Sequence, residues 1–179
     1  MEKLTLLDKT FVPFISYDKI SAAIDKVAEN ISKDFKDSED IPVLLCVLNG
    51  SIMFTAELMK RLEFNCELAS IKLSSYEGTS STGVVRTSQK LTTDVKGRKV
   101  IVIEDIVDTG NTIEHLQEFL IAQGAAEVKI CTLLLKPEVY KKDIKLDYVA
   151  MEIPNRFIVG FGLDYDQLGR NTRDIYILE

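Results

Sequence analysis

The 179-residue sequence predicts an α/β fold, a mainly parallel sheet flanked by helices, on three observations. The apolar run Val43–Leu48 stops at Asn49-Gly50 and gives way to a helical pattern. Val100–Ile103 repeats that design, with a turn at Asp108-Thr109-Gly110 before the next helix. Two strand–helix–strand units in series imply parallel pairing, because the chain must cross back over the sheet before each new strand. The composition, 46% hydrophobic and 28% charged with nine Gly and four Pro, fits one compact core and excludes disordered, collagenous and repeat architectures.

From Tyr17 to Asp37 the apolar residues Ile20, Ile24, Val27, Ile31 and Phe35 recur at helical spacing, with Ser16 available as N-cap. Pro42 introduces the strand Val43–Leu48, a second helix is expected over Ser51–Leu62, and Leu68–Leu73 reads as the next strand. Residues 74–93 differ in kind, with ten Ser or Thr, two Gly and no sustained hydrophobic period. A loop that long inside one domain reads as a lid or a disordered insertion, and the lid is the favoured reading. Arg98–Asp105 contains the strand Val100–Ile103, the following helix runs from about Thr112 to near Gly124, and Lys129–Leu135 is another strand. No linker or repeat divides residues 1–179, and ligands of such a sheet belong at the carboxyl ends of its strands.

The net charge of −6, with no concentrated Lys/Arg run, makes nucleic acid and anionic membranes poor partners. No apolar run approaches the ~20 residues that span a bilayer, and the first residues lack a signal-peptide core. Cys46, Cys66 and Cys131 lie in or beside apolar runs without Cys-x-x-Cys spacing, so buried reduced thiols and a cytoplasmic location are expected. Walker-type and dinucleotide-type glycine motifs are absent, and the lone His115, inside a helix, gives no support for Ser–His or Cys–His nucleophilic schemes.

The chemistry concentrates in Val100-Ile-Val-Ile-Glu104-Asp105-Ile-Val-Asp108-Thr109-Gly110-Asn111-Thr112. Apolar residues deliver two adjacent carboxylates and then a third to a strand exit, where like charges repel unless a cation or a hydroxyl-rich ligand compensates. Small hydroxylated residues then open a helix, whose free N–H groups suit phosphate. Together these features point to a phosphorylated sugar with Mg²⁺. A receiver domain also joins an acidic pair to a later Lys-Pro, but its pair stands near the domain start, whereas Glu104-Asp105 lies past the midpoint.

This stretch closely resembles the phosphoribosyl-pyrophosphate (PRPP) signature of type I phosphoribosyltransferases. The resemblance extends through Leu48-Asn49-Gly50-Ser51, Ser75-Tyr76, Leu135-Lys136-Pro137, Glu152–Gly160, Leu163-Asp164-Tyr165 and Arg170, which is the pattern of the hypoxanthine-guanine phosphoribosyltransferases. It implies the type I phosphoribosyltransferase fold with a small hood from the N- and C-terminal segments. A flexible lid over 74–96 and a purine-side hood segment over 147–179 follow from it. The implied reaction is a glycosyl transfer of purine salvage, in which PRPP and hypoxanthine or guanine give IMP or GMP and pyrophosphate. Homodimers or homotetramers are implied as well.

Residue by residue, the resemblance gives Glu104 and Asp105 the ribose hydroxyls and, with Asp164, Mg²⁺. Asp108 becomes the base or hydrogen-bond acceptor at purine N7, and Asp108, Thr109, Gly110, Asn111 and Thr112 cradle the 5′-phosphate. Leu48, Asn49, Gly50 and Arg170 face pyrophosphate. Lys136 bonds the 6-oxo group, Phe157 stacks on the base, the Ile158 backbone bonds its edge, and Ser75 and Tyr76 begin the lid. Asn49 and Asn111 depart from the family, which commonly has a basic residue at each place. The serious alternative is a regulatory protein of the same fold that senses PRPP or nucleotide, and Asp108 together with Lys136 argues against it. The choice among hypoxanthine, guanine and xanthine depends on groups near the purine 2-position, including backbone carbonyls around Asp164.

Overall fold

An apolar strand with no polar alternation needs cover on both of its faces, and the arrangement of elements supplies it. The computed structural model describes residues 2–74, 86–87, 91 and 93–179. In chain order the elements are β1 (Leu4–Leu6), β2 (Lys9–Ile15), α1 (Tyr17–Phe35), β3 (Val43–Leu48), α2 (Ile52–Met59), β4 (Glu67–Ser74) and β5 (Arg86–Thr87). They continue as β6 (Lys99–Val107), α3 (Asn111–Ala122), β7 (Glu127–Leu135), β8 (Tyr148–Glu152), β9 (Ile158–Val159) and β10 (Ile175–Leu178).

The larger sheet has the order β5-β4-β3-β6-β7-β8, parallel throughout except for the antiparallel pair β4–β5. Strand alternation divides the core. Leu44, Ile101, Ile103 and Cys131 face α1 and α2, where Ile20, Ile24, Val27, Ile31, Phe35, Phe54 and Leu58 are buried. Val43, Leu45, Val47, Val100, Val102 and Ile130 face α3 through Ile113, Leu116 and Leu120. Burying such side chains contributes about 1.5–3 kcal/mol each.

From β3 the chain crosses through α2 to β4 on one side, and from β6 it crosses through α3 to β7 on the other. The connections therefore part between β3 and β6, which makes the carboxyl ends of those two strands a crevice for ligand.

A second sheet, antiparallel in the order β1-β2-β10-β9, joins the N- and C-terminal segments and forms the hood. Residues 147–152 of the segment expected in the hood include β8, which belongs to the larger sheet, because the chain adds one more parallel strand beside β7 before turning back. The loop expected over 74–93 contains a short strand, since Arg86–Thr87 continues the ladder of β4. Ser75 and Tyr76 lie outside the described residues.

Other boundaries move for local reasons. The strand expected over Val100–Ile103 runs on to Val107, carrying Glu104 and Asp105 inside the ladder, where Glu104 is in register with Thr132 of β7. The second helix is shorter than expected, Ile52–Met59. Ser16 occupies the N-cap of α1, but it is its backbone carbonyl that accepts from Lys19 and Ile20, without a side-chain cap bond. The three cysteines are free thiols, Cys46 and Cys131 buried and Cys66 half-buried. Among the described residues no helix is long and apolar enough to cross a membrane.

Candidate active site

Three loops converge at the crevice: residues 48–51 after β3, 108–110 after β6, and the turn beginning at Lys136 after β7. The hood contributes Phe157 and the stretch from Gly160 to Arg170. Glu104 is 7% exposed, and its Oε2 has no hydrogen-bond partner. Burial first, and then the neighbouring Asp105, push its carboxyl well above the usual carboxylate range. Burial raises Asp105 as well, while the Glu104 side chain, the Ile106 N–H at 2.9 Å and the charge of Arg170 pull it the other way. Burial thus disfavours charge on both members of the pair, most of all on Glu104.

Asp105 reaches the loop after β3 because residue 50 has no side chain. A Cβ at Gly50 would lie 1.7 Å from Asp105 Oδ2. On the hood side, a Cβ at Gly162 would lie 2.0 Å from the Gly50 carbonyl oxygen. Two glycines thus let the hood, the loop after β3 and the β6 carboxylate stack at backbone distance.

Asp108 and Lys136 come together. Lys136 Nζ donates to Asp108 Oδ2 at 3.0 Å, and the Lys136 side chain is only 12% exposed. The backbone supports this pair, since the Lys136 N–H donates to the Val107 carbonyl at 3.0 Å. Thr109 and Asn111 are exposed, Thr112 is half-buried, and Gly110 is the N-cap of α3 with φ +87°. The free N–H groups of a helix start and its dipole favour an anion there.

Tyr140 packs against this loop, 2.6 Å from where a Gly110 Cβ would stand, and its hydroxyl donates to the Ile144 carbonyl at 2.6 Å. Sequence reasoning missed Tyr140 and Gly162. Their signals were the aromatic four residues after Lys136 and the Gly160-Phe161-Gly162 spacing.

Of the two phenylalanines in residues 156–161, Phe161 is buried and Phe157 is 44% exposed, which leaves Phe157 able to stack on a ligand ring. Ile158 is buried in β9, paired with Ile177 of β10. Arg170 donates to the Gly162 carbonyl at 2.8 Å and pairs with Asp164 at 2.7 Å, so the hood itself orients both side chains.

Leu48 and Gly50 are half-buried and Asn49 is exposed, in a loop whose Leu48–Asn49 peptide bond is cis. Among the described residues no group of three His, Cys, Asp or Glu side chains closes on one point. The pair Glu104–Asp105 nevertheless fits a hard divalent cation, because it offers carboxylate oxygens, one of them buried and unpartnered.

The chain matches the family described as phosphoribosyl transferase domain over residues 16–166. It is 42% identical over 166 residues to the hypoxanthine-guanine phosphoribosyltransferase of Streptococcus pneumoniae, covering 92% of this chain and 91% of that one. The enzyme of the same name from Streptococcus thermophilus is 41% identical over 165 residues, with the same coverage. Among solved structures, a hypoxanthine-guanine phosphoribosyltransferase of Bacillus anthracis superposes with a TM-score of 0.87 at 33% identity, over 94% of this chain and 98% of that one. A hypoxanthine phosphoribosyltransferase of Trypanosoma cruzi gives 0.88 at 34% identity, over 98% and 95%.

Proposed function

The chain belongs to the phosphoribosyltransferase family, in its hypoxanthine-guanine branch, and on that premise we propose how its residues carry out the transfer. It is a pentosyltransferase of purine salvage that moves the 5-phosphoribosyl group of PRPP to a 6-oxopurine. The observation that carries the residue assignments is the Asp108–Lys136 pair, held at the crevice beside Glu104 and Asp105.

Hypoxanthine or guanine in its N7–H form attacks C1′ through N9. The C1′–oxygen bond to pyrophosphate breaks with its electron pair leaving on pyrophosphate, and the N7 proton passes to Asp108. Lys136 bonds the purine 6-oxo oxygen, so one ion pair reads both the base and its proton. Phe157 stacks on the ring, and the Ile158 backbone meets its edge. Glu104 and Asp105 hold the ribose hydroxyls, the N–H groups and hydroxyls from Asp108 to Thr112 hold the 5′-phosphate, and Leu48, Asn49, Gly50 and Arg170 face pyrophosphate.

Glu104 and Asp105, with Asp164 from the hood, would hold Mg²⁺. When bound, that ion neutralises the departing pyrophosphate. Residues 74–96, opening at Ser75 and Tyr76, serve as the lid that excludes water from the ribosyl centre. The products are IMP or GMP. We place the enzyme in the cytoplasm as a homodimer or homotetramer, which light scattering would resolve.

The test is nucleotide formation from PRPP, Mg²⁺ and each of hypoxanthine, guanine and xanthine. Asp108→Asn is expected to lose roughly a hundred-fold or more in kcat, the usual scale of a general base. Wild-type rates in that variant would reject the assigned base.

A further inference from the structure

Tyr165 was singled out in the sequence beside Asp164, yet no step of the transfer uses it. Its hydroxyl donates to Asp8 Oδ1 at 2.7 Å, across 157 residues of chain. Its ring stands perpendicular to Phe157, with an interplanar angle of 87° and centroids 5.9 Å apart. Phe11 lies 6.1 Å from both rings, and Lys9 Nζ sits 5.1 Å over the Tyr165 ring. Asp8 therefore connects through Tyr165 to the aromatic that faces the base.

Both loop tips that meet here hold unusual backbone. Tyr165 and Leu168 form an antiparallel bridge closed by hydrogen bonds of 2.9 and 3.0 Å, with Asp166 (φ +48°) and Gln167 (φ +68°) between them. Two central residues at positive φ define a type I′ turn, a place ordinarily filled by Asn-Gly. At the other tip, between Leu6 and Lys9, Leu7 has φ +51°. Three of the four non-glycine residues with positive φ among the described residues thus belong to these two tips. Such conformations persist where surrounding contacts over-determine them, and they gather at functional sites.

We propose that Asp8 and Tyr165 form a brace that positions Phe157 for stacking on the purine. The inference rests on the reading of Phe157 as the base platform. A ring that is 44% exposed loses rotamer freedom when a base stacks on it, and a perpendicular neighbour anchored at its hydroxyl removes that freedom beforehand. The brace bond touches neither the phosphate loop nor the acidic pair, and Asp164 and Arg170 bond to Gln167, Gly162 and each other rather than to the Tyr165 hydroxyl, so its loss is read in base binding.

The test measures kcat and both KM values for Asp8→Ala, Asp8→Asn, Tyr165→Phe, the double variant Asp8→Ala/Tyr165→Phe, and Phe157→Leu. Asp8→Ala and Tyr165→Phe are each expected to raise the KM for hypoxanthine roughly three- to ten-fold, the scale of one hydrogen bond, leaving kcat and the KM for PRPP essentially unchanged. The double variant should match the singles, because one bond is lost once. Asp8→Asn, which keeps an acceptor oxygen, should stay near wild type.

An unchanged KM for hypoxanthine in both single variants, an equal rise in the KM for PRPP, or multiplying effects in the double variant would overturn the brace. Phe157→Leu separates the two readings. If it raises the KM for hypoxanthine while the brace variants do not, only the brace fails. If it leaves that KM unchanged, the base platform fails and the brace falls with it.

Discussion

Glu104 shows what a buried carboxyl group at the crevice costs a fold. It is buried with an unpartnered oxygen, and its carboxyl keeps a proton that the unfolded chain gives up near its ordinary value of 4.5. The native state therefore binds more protons than the unfolded state above that value, and stability declines as pH rises from there toward the raised folded-state value. In magnesium-free buffer Glu104→Gln should flatten this decline and stabilise the protein at neutral pH by about 1–2 kcal/mol, while transfer is lost. Thermal melts across pH read the effect, and a lower Tm at pH 7 would contradict it. Asn49 and Asn111 are both exposed, one in the loop after β3 and the other at the start of α3. Asn49→Lys and Asn111→Lys should lower the KM for PRPP and strengthen pyrophosphate inhibition, each by about five-fold or less, the worth of one added exposed charge pair. If neither constant moves in either variant, the neutral residues are not what limits anion affinity. Glu104 was legible in the sequence because an apolar run delivers it with Asp105 toward a glycine turn, whereas Asn49 and Asn111 stood out only against the pattern of the family the sequence resembles. Gly162 and Tyr140 were not, since their roles arise only when distant loops pack.

At the scale of elements, the strands and helices of the larger sheet were readable because each carries its own hydrophobic period. α1 is the clearest case, with all five expected apolar residues buried. The hood was less readable, because β1, β9 and β10 are two to four residues long and the pairing that closes the sheet, β2 with β10, joins segments far apart in sequence. Pro13 in β2 also argues against a central strand, but β1 pairs only with residues 9–11, so Pro13 lies beyond the end of that ladder. Between elements, Arg61 ties α2 to α1 through Glu57, Asp25 and Ser21. Hydrogen bonds from Lys60, then from Arg61, hold Glu57 below the usual carboxylate range. Its contribution is thus present above the ordinary value of 4.5 and lost as pH falls through the lowered folded-state value. Arg61→Ala should cost about 1–2 kcal/mol at neutral pH and lose less on acidification than wild type does. Urea titrations at pH 7 and pH 3.5 would show it, and an undiminished acid sensitivity would place that sensitivity elsewhere.

For the molecule as a whole, the hood and the larger sheet meet where Gly162 lies on the Gly50 carbonyl. Gly162→Ala would place a methyl group 2.0 Å from that oxygen and put a side chain at φ +103°. It should raise the KM for PRPP and for purine together and destabilise the fold by about 2 kcal/mol or more, which kinetics with differential scanning calorimetry would reveal. A change confined to one KM would mean that the two halves meet independently of this contact. The hood also has a temporal consequence. Because β2 pairs with β10, a nascent chain that has emerged through Glu152 already holds every parallel strand among the described residues, yet the hairpin β1–β2 still lacks its neighbour. During synthesis the larger sheet can therefore assemble ahead of the hood, whose middle pairing waits for a strand made more than twenty residues later.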